Sequence, residues 1–167
     1  VGAKLLFPNT NIQHAGVLLG LKGPAEHPFI DEPQNSPGYM QRLEVDQNYS
    51  AVTAACMLIR KSIFEEVGGF DEEAFKVSYN DVDLCLKVRE AGYLTVWTPR
   101  AVVMHVGNVS QNQTDKTVLE RKRKRFQAEK HAMYDKWLPQ LANDPAYNKN
   151  FSLRGSGFEL ENTNLSW

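Results

Sequence analysis

The side chains best placed for chemistry are the carboxylates of Asp81 and Asp83, in the segment NDVDLCLKVRE. The segment opens on Asn80, which favours the start of a helix, so both aspartates fall in the first turn of a predicted helix. Unpaired backbone N–H groups and the positive end of the helix dipole stabilise a carboxylate there. Such an acid either only stabilises the helix or acts as a general base toward a hydroxyl group. Position alone leaves both interpretations open.

A loop with two adjacent glycines, GGFDE, precedes this helix and runs from Gly68 to Glu72. Adjacent glycines permit positive φ and allow a ligand or another backbone to approach closely. Phe70 is expected to anchor the loop in the core. The glycines either cap the preceding helix or belong to a loop that contacts a substrate.

His105 closes an otherwise apolar strand, AVVMHV. In that position a histidine is either a hydrogen-bonded edge residue or a metal ligand. As a ligand it needs carboxylates from elsewhere to complete a divalent-cation site. The residue types alone do not choose between these roles.

Four apolar or irregular segments before residue 61 are expected to support these side chains. Lys4–Phe7 and Ala15–Leu21 frame a turn and are predicted to be strands, and our hypothesis is that they form a hairpin. Tyr49–Arg60 is an almost continuous apolar run of small residues and is predicted to be a central strand covered on both faces. Residues 22–48 hold four of the eight prolines and no sustained periodicity, which predicts a long surface loop.

Three helices are predicted around the aspartates. Ser62, with Glu65 three residues later, forms a capping box for a short helix that ends at Gly68. The second helix covers residues 80–91 and is stopped by a glycine. A long amphipathic helix covers about residues 114–137, with apolar side chains at seven-residue spacing.

Two further strands, Tyr93–Thr98 and Ala101–Val106, are expected on either side of Pro99–Arg100. Beyond Pro139 the sequence is rich in Asn, Pro, Gly and Ser, which predicts a tail along the surface rather than an element of the core. The alternation of strands and helices predicts an α/β sandwich, with too few strands before residue 49 for a complete nucleotide-binding sheet.

The charge and cysteine content narrows the class of protein. Nineteen basic and twenty acidic residues give a net charge of -1, which provides no general attraction for nucleic acid. Cys56 and Cys85 lie in apolar stretches and are expected to be free thiols in a reducing compartment. The sequence has no apolar run long enough to cross a bilayer and no signal peptide at its start, so a soluble chain is expected.

The order and spacing of two segments resemble the acceptor half of family 2 glycosyltransferases. These segments are VTAACMLIRKSIFEEVGGFDE and YNDVDLCLKVREAGYLTVWTPRAVVMHVG. The stretches VGAKLLFPNTNIQHAGVLLG and MYDKWLPQLANDPAYNKNFSL also resemble bacterial members that build O-antigen, rhamnan-type or other surface polysaccharides. The resemblance implies a partial GT-A sandwich over residues 1–138, without the N-terminal nucleotide-binding strands. Residues 139–167 would form an extension that is packed on the surface or partly disordered.

The resemblance also assigns roles to single residues. Asp81 matches the catalytic base, while Asn80 replaces the glutamate that usually precedes it. His105 matches a histidine that completes a Mn²⁺ or Mg²⁺ site with an upstream D-x-D motif, which this chain lacks before residue 49. Where relatives carry Ser-Arg-Gly, this chain has Ser110–Asn112, so Lys116, Arg121 or Arg123 would have to contact the diphosphate instead. The residues expected to bind substrate are Gly69, Phe70, Asp71, Asn80 and Asp83.

The function implied is an inverting transfer of sugar from a nucleoside-diphosphate donor to a growing cell-surface glycan. The donor half is expected to be absent from this chain, which would leave it inactive in isolation. The alternative is a carbohydrate-binding or interaction module without catalysis.

A basic run from Glu120 to Arg125 (ERKRKR) is either a solvated helix face or a contact for diphosphate or anionic lipid heads. It motivates the expectation of a cytoplasmic protein at the inner face of a bacterial membrane. The 22–48 loop is expected to shape acceptor specificity.

Overall fold

The computed structural model describes residues 1–107 and 116–161 and has a mixed α/β fold. The strands and helices follow one another from a small N-terminal sheet region to a long C-terminal helix. In chain order they are β1 Gly2–Leu6, β2 Ile12–His14, β3 Leu18–Leu19, β4 Ala25–Glu26, β5 Gln47–Tyr49, α1 Lys61–Glu66, α2 Asn80–Glu90, β6 Thr95–Met104 and α3 Lys116–Ala142. The predicted α/β class is therefore confirmed. The stretch Ser110–Asn112 lies outside the described residues.

The main sheet has four strands in the order β2-β1-β6-β5. Strand β1 pairs in parallel with β6, whereas β2 and β5 pair antiparallel with their neighbours. Strand β1 forms a hairpin, but its partner is β2 and not the predicted strand Ala15–Leu21, because the turn closes early, with the Phe7 N–H donating to the Asn11 carbonyl. Of the predicted strand over residues 15–21, only β3 remains, in a separate two-stranded sheet with β4.

Strand β6 is continuous, so the prediction of two strands separated by a turn was wrong. Ala3 lies opposite Thr98, whereas the next residue, Lys4, lies opposite Val102. The extra residues, which include Pro99 and Arg100, form an irregularity in the register. A bulge accommodates a proline that cannot donate to the ladder, and the pairing resumes beyond it.

The prediction of a central strand over Tyr49–Arg60 was also wrong. Strand β5 ends at Tyr49 and occupies an edge of the sheet, and a 3-10 turn follows over Ala54–Cys56. The Thr53 Oγ1 accepts the Ala55 N–H at 3.3 Å and holds this turn. Ala54 is exposed, so a run of small apolar residues here does not mark a buried strand.

Two helices begin earlier than predicted. Helix α1 begins at Lys61 after Arg60, which makes no side-chain capping bond, so Ser62 lies inside the helix and is not its cap. The helix ends as predicted before Gly68, which has a φ of 77°. Helix α2 is preceded by Tyr79 in the left-handed conformation, with a φ of 63°, so Asn80 is its first residue rather than its cap.

Helix α3 continues through Pro139 to Ala142, so residue 138 lies inside it. Pro139 falls in the last turn and lacks the N–H that would otherwise bond to the carbonyl of residue 135. The described part of the following segment contributes to the core. Tyr147 is 9% exposed, and Phe151 and Phe158 pack against the core cluster. The aperiodic apolar residues of the tail are therefore not confined to the surface, contrary to the prediction.

None of the helices in the described ranges combines the length and the apolar character needed to span a bilayer. Cys56 is half-buried and Cys85 is buried, and both are free thiols, as predicted. The basic run on α3 is largely exposed: Arg121, Arg123, Lys124 and Arg125 all face solvent.

Candidate active site

Asp81 stands in the first turn of α2 with both carboxylate oxygens oriented by backbone N–H groups. Its Oδ2 accepts from Ala54 N–H at 3.1 Å, and its Oδ1 accepts from Val82 N–H at 2.9 Å. The Asn80 Oδ1 accepts the N–H of Asp81 itself at 2.8 Å. Hydrogen bonds of this kind stabilise the charged carboxylate and fix its direction. The side chain remains half-exposed, so it can meet a ligand.

The Asp81 carboxylate lines a cleft of about 310 Å³ that is open to solvent. Glu26 and His27, from β4 and the residue after it, form the polar wall of the cleft, and Tyr79 and Phe126 form an aromatic wall. The two aromatic rings lie 5.8 Å apart, tilted by 31°. We name this cavity the Asp81 cleft. A carboxylate beside aromatic faces suits a sugar, which has polar hydroxyls and apolar C–H faces.

Two histidines meet beside this cleft. The Nδ1 atoms of His14 and His27 are 2.8 Å apart, and the rings are edge to face. The His14 Nε2 lies 3.4 Å from the backbone nitrogen of Thr53, directly before the residue that binds Asp81. Burial lowers the pKa of His14 well below its ordinary value of 6.5, and His27 lowers it further. Burial also lowers the pKa of His27, against the opposing effect of the Glu26 and Asp81 charges.

The loop that leads into α2 is held by one buried carboxylate. Glu129 of α3 is 3% exposed and accepts the backbone N–H groups of three consecutive residues. The acceptor distances are 3.1 Å for Lys76, 3.2 Å for Val77 and 2.9 Å for Ser78. This contact places Tyr79 at the cleft. Burial raises the pKa of Tyr79 to about 12, with a smaller contribution from Glu26.

Asp83 lies in the same helical turn as Asp81 but is fully buried between α2 and α3. It accepts the Trp137 Nε1–H at 2.9 Å. It also pairs with the ammonium groups of Lys136 at 2.7 Å and Lys87 at 3.3 Å. Its side chain has no exposed surface, so this geometry favours an anchor between the two helices. A contact between Asp83 and substrate stays a prediction.

The glycine loop does not line the Asp81 cleft. Gly69 has a φ of 63°, and a Cβ there would meet the Phe64 ring at 3.0 Å. Phe70 is 37% exposed and packs edge to face on Phe64, so the expectation that it anchors the loop in the core was wrong. Asp71 accepts the Ala74 N–H at 3.0 Å and pairs with Lys136.

Phe70 and Asn80 instead line a second small cleft, together with Glu72, Phe75 and Lys76. Asn80 therefore faces this second cleft while its neighbour Asp81 faces the first. Substrate contacts by Gly69, Phe70, Asp71 and Asn80 stay predictions.

His105 follows β6 at the far end of the strand pair β1–β6. Its ring Nδ1 lies 2.7 Å from the Gln13 Oε1, and since this oxygen can only accept, the Nδ1 carries the proton. The Nε2 is then free to bind a metal, and an outer hydrogen bond of this kind is common for metal-bound histidines. Residues 1–107 and 116–161 contain no group of three or more His, Cys, Asp or Glu side chains that could hold a metal ion. Coordination of a metal ion by His105 stays a prediction and would need further ligands from elsewhere.

Five residues in or directly beside the Asp81 cleft were not identified as site residues from the sequence. Three of them are polar and two are aromatic, and the long loop or a helix surface contributes most of them. The adjacent titratable residues Glu26 and His27 in a proline-flanked loop were the available signal. They are His14, Glu26, His27, Tyr79 and Phe126.

Comparison with known proteins identifies the class. Residues 38–127 match the family described as glycosyltransferase like family 2. This match covers more than half of the chain and includes Asp81, the glycine loop and His105. The chain therefore belongs to this family, as the resemblance implied.

Individual relatives agree with this assignment. The chain is 47% identical over 160 residues to the uncharacterized protein y4gI of Sinorhizobium fredii, covering 96% of this chain and 17% of that protein. It is 35% identical over 161 residues to the O-antigen biosynthesis protein RfbC of Myxococcus xanthus, covering 92% of this chain and 12% of that protein.

A shorter match links the chain to a named transferase. It is 44% identical over 54 residues to the N-acetylglucosaminyl-diphospho-decaprenol L-rhamnosyltransferase of Mycobacterium tuberculosis, covering 32% of this chain and 17% of that protein. The chain thus spans less than a fifth of each of these relatives. No solved structure matches it.

Proposed function

We propose that this chain is the acceptor-binding part of a glycosyltransferase that moves a sugar from a nucleoside-diphosphate donor to a cell-surface glycan. The observation that carries the proposal is the Asp81 carboxylate, oriented by two backbone N–H groups at the edge of an open cleft with an aromatic wall. Membership of glycosyltransferase family 2 supports it, as does similarity to a protein named for O-antigen biosynthesis.

In the proposed reaction, Asp81 takes a proton from the acceptor hydroxyl as the hydroxyl oxygen attacks the anomeric carbon. The bond from that carbon to the diphosphate breaks, and the nucleoside diphosphate leaves with the bonding electrons. Attack from the face opposite the leaving group inverts the anomeric configuration. The two backbone N–H groups hold the Asp81 carboxylate in a fixed direction, as a positioned general base requires. Tyr79 and Phe126 pack against the acceptor sugar.

A divalent metal ion, Mn²⁺ or Mg²⁺, would neutralise charge on the leaving diphosphate when bound. His105 is the described residue suited to hold it, through the Nε2 left free by the Gln13 hydrogen bond. The exposed basic run of α3 provides a surface for anionic lipid heads, which would place the protein at the cytoplasmic face of a bacterial membrane.

The test uses the full-length protein and a panel of UDP-, GDP- and TDP-linked hexoses, including TDP-L-rhamnose. The acceptor is N-acetylglucosaminyl-diphospho-decaprenol, chosen because one relative is named for it. We expect acceptor-dependent release of nucleoside diphosphate and a product of inverted anomeric configuration by NMR. A retained configuration would contradict the proposed displacement.

The competing function is a carbohydrate-binding module without catalysis, which the aromatic wall of the Asp81 cleft would also serve. The two functions differ in the response to Asp81→Asn. A binding module keeps its glycan affinity and shows no transfer before or after the change. A transferase loses turnover, while Asp135→Asn, at an exposed position of α3, leaves turnover intact.

A further inference from the structure

The His14–His27 pair has a proton arrangement that its neighbours determine. A hydrogen bond between two Nδ1 atoms 2.8 Å apart requires one ring to donate and the other to accept. The Thr53 N–H points at the Nε2 of His14, so that nitrogen carries the lone pair. A neutral imidazole has one N–H, and in His14 it is therefore on Nδ1.

The same reasoning determines which ring nitrogen of His27 carries its proton. Because His14 donates from its Nδ1, the Nδ1 of His27 accepts, and the proton of His27 is on Nε2. The opposite arrangement would direct the Nε2–H of His14 at the N–H of Thr53, so two donors would face each other in a buried place. His14 is 1% exposed, which makes such a mismatch costly.

His27 is part of the wall of the Asp81 cleft. Its backbone N–H is bound by the Glu26 carboxylate at 2.9 Å, and its Nδ1 is bound by His14. Among the described residues, none accepts a hydrogen bond from its Nε2. The cleft thus offers a neutral donor on His27 in addition to the Asp81 carboxylate, and a donor and an acceptor together can bind adjacent oxygens of a sugar.

We infer that His27 is an acceptor-binding residue whose Nε2–H donates to an oxygen of the acceptor sugar next to the hydroxyl that reacts with Asp81. His14 is the positioning residue, since it holds His27 in the required tautomer. This inference rests on the function proposed above. It assigns roles to two residues that the family resemblance left without one.

The neutrality of the pair serves the proposed base. A cationic His27 beside Asp81 would stabilise the carboxylate and weaken it as a proton acceptor. Burial lowers the pKa of both rings, and His27 lowers the pKa of His14 further, although the Glu26 and Asp81 charges oppose the effect of burial on the pKa of His27. A donor without positive charge binds the sugar and leaves the basicity of Asp81 intact.

The tautomers are measured directly by long-range ¹⁵N–¹H NMR of the ¹⁵N-histidine-labelled chain at pH 7. The four histidines are assigned by single substitution. We expect His14 to be protonated only at Nδ1 and His27 only at Nε2. A proton on the Nδ1 of His27, or an imidazolium in either ring, would overturn the inference.

The role in acceptor binding is measured by kinetics of the full-length protein with its best donor and N-acetylglucosaminyl-diphospho-decaprenol. His27→Phe keeps a ring but removes the donor, and we expect kcat/KM for the acceptor to fall roughly 3- to 10-fold, mainly through KM. His27→Gln restores an N–H near the Nε2 position and should remain within about twofold of the unsubstituted protein by the same principle. The donor KM should not change in either variant.

Asp81→Asn, measured in parallel, distinguishes a failure of the role inferred for His27 from a failure of the proposed function. Loss of transfer in Asp81→Asn with an unchanged acceptor KM in His27→Phe would overturn only the inference. Full transfer by Asp81→Asn would overturn the proposed function instead. If His27→Phe does not fold, His27→Gln provides the test, because that variant keeps the N–H. A loss of acceptor affinity in folded His27→Gln as large as the loss expected for His27→Phe would contradict the donor role.

Discussion

At the scale of single residues, the two aspartates of one helical turn have different surroundings. Asp81 is half-exposed and bound by backbone N–H groups, whereas Asp83 is buried and bound by Trp137 and two lysines. Because only one of the two carboxylates can reach a ligand from its present position, their substitution should affect different properties. Substitution of Asp81 should lower turnover, and substitution of Asp83 should lower stability.

Asp83→Ala is predicted to lower the free energy of unfolding by about 1–3 kcal/mol, because the buried Trp137 N–H loses its acceptor. Urea unfolding followed by tryptophan fluorescence measures this. Asp135→Ala on the exposed side of α3 is the matched control and should change stability by no more than about 0.5 kcal/mol. Equal stability of the two variants would remove the anchoring role of Asp83.

His14 predicts a pH dependence of stability. Its pKa is lowered by burial in the folded chain and returns to about 6.5 on unfolding, so below that pH the unfolded chain binds the proton first. Stability is therefore complete above pH 6.5 and falls as the pH drops toward the folded pKa, by at most about 1.4 kcal/mol per pH unit for this group. Thermal unfolding between pH 7 and pH 5 should show a smaller loss in His14→Asn than in the unsubstituted chain. The same loss in both would contradict the prediction, and His131→Asn, at an exposed position, is the control.

At the scale of elements, α3 fixes the entrance to α2 through one side chain. Glu129 binds three consecutive backbone N–H groups just before Tyr79, which itself has a left-handed φ of 63°. This contact, formed between residues more than fifty positions apart, sets the aromatic wall of the Asp81 cleft. Without it, the loop would have no other acceptor for these N–H groups among the described contacts.

Glu129→Ala is predicted to cost about 1–3 kcal/mol of stability, because partly buried N–H groups of the 76–78 loop lose a charged acceptor. It should also raise the acceptor KM, since Tyr79 loses its support. Chemical unfolding and acceptor titration measure the two effects. Glu120→Ala, on the exposed side of the same helix, should change neither. A stable Glu129→Ala variant with unchanged KM would show that the loop holds itself.

Local patterns in the sequence predicted the elements that depend on local physics. The helix with Asp81 was correctly located because an apolar face and a stop at Gly92 are short-range signals. The 49–60 segment was misassigned because small apolar residues fit both a buried strand and a tightly packed turn. Strand β6 was divided at Pro99 because the sequence does not reveal that a bulge accommodates the proline.

The residues of the cleft were harder to predict because long-range packing assembles them. His14 lies in β2 of the main sheet, whereas His27 directly follows β4 of the two-stranded sheet, and Thr53 reaches His14 from 39 residues away. No periodic pattern connects such positions. Asp81 was found from local chemistry and family resemblance together, whereas its partners in the cleft became evident only from the fold.

At the scale of the whole molecule, the described residues form the Asp81 cleft, which brings together a carboxylate, the His14–His27 pair and an aromatic wall. The net charge of -1 provides no general attraction for anions. The exposed basic run of α3 is a local concentration of positive charge. These features, with the family assignment, support transfer of a sugar onto a glycan held in the Asp81 cleft. The central claim is that Asp81 performs the proton transfer.

The most direct test is the turnover of full-length Asp81→Asn, measured together with its dissociation constant for the donor. Loss of the general base should lower kcat by about 10²- to 10⁴-fold, with donor affinity unchanged. The control Asp135→Asn, which is the same substitution at an exposed position, should retain full turnover. If the kcat of Asp81→Asn instead equals that of Asp135→Asn, Asp81 is not the base.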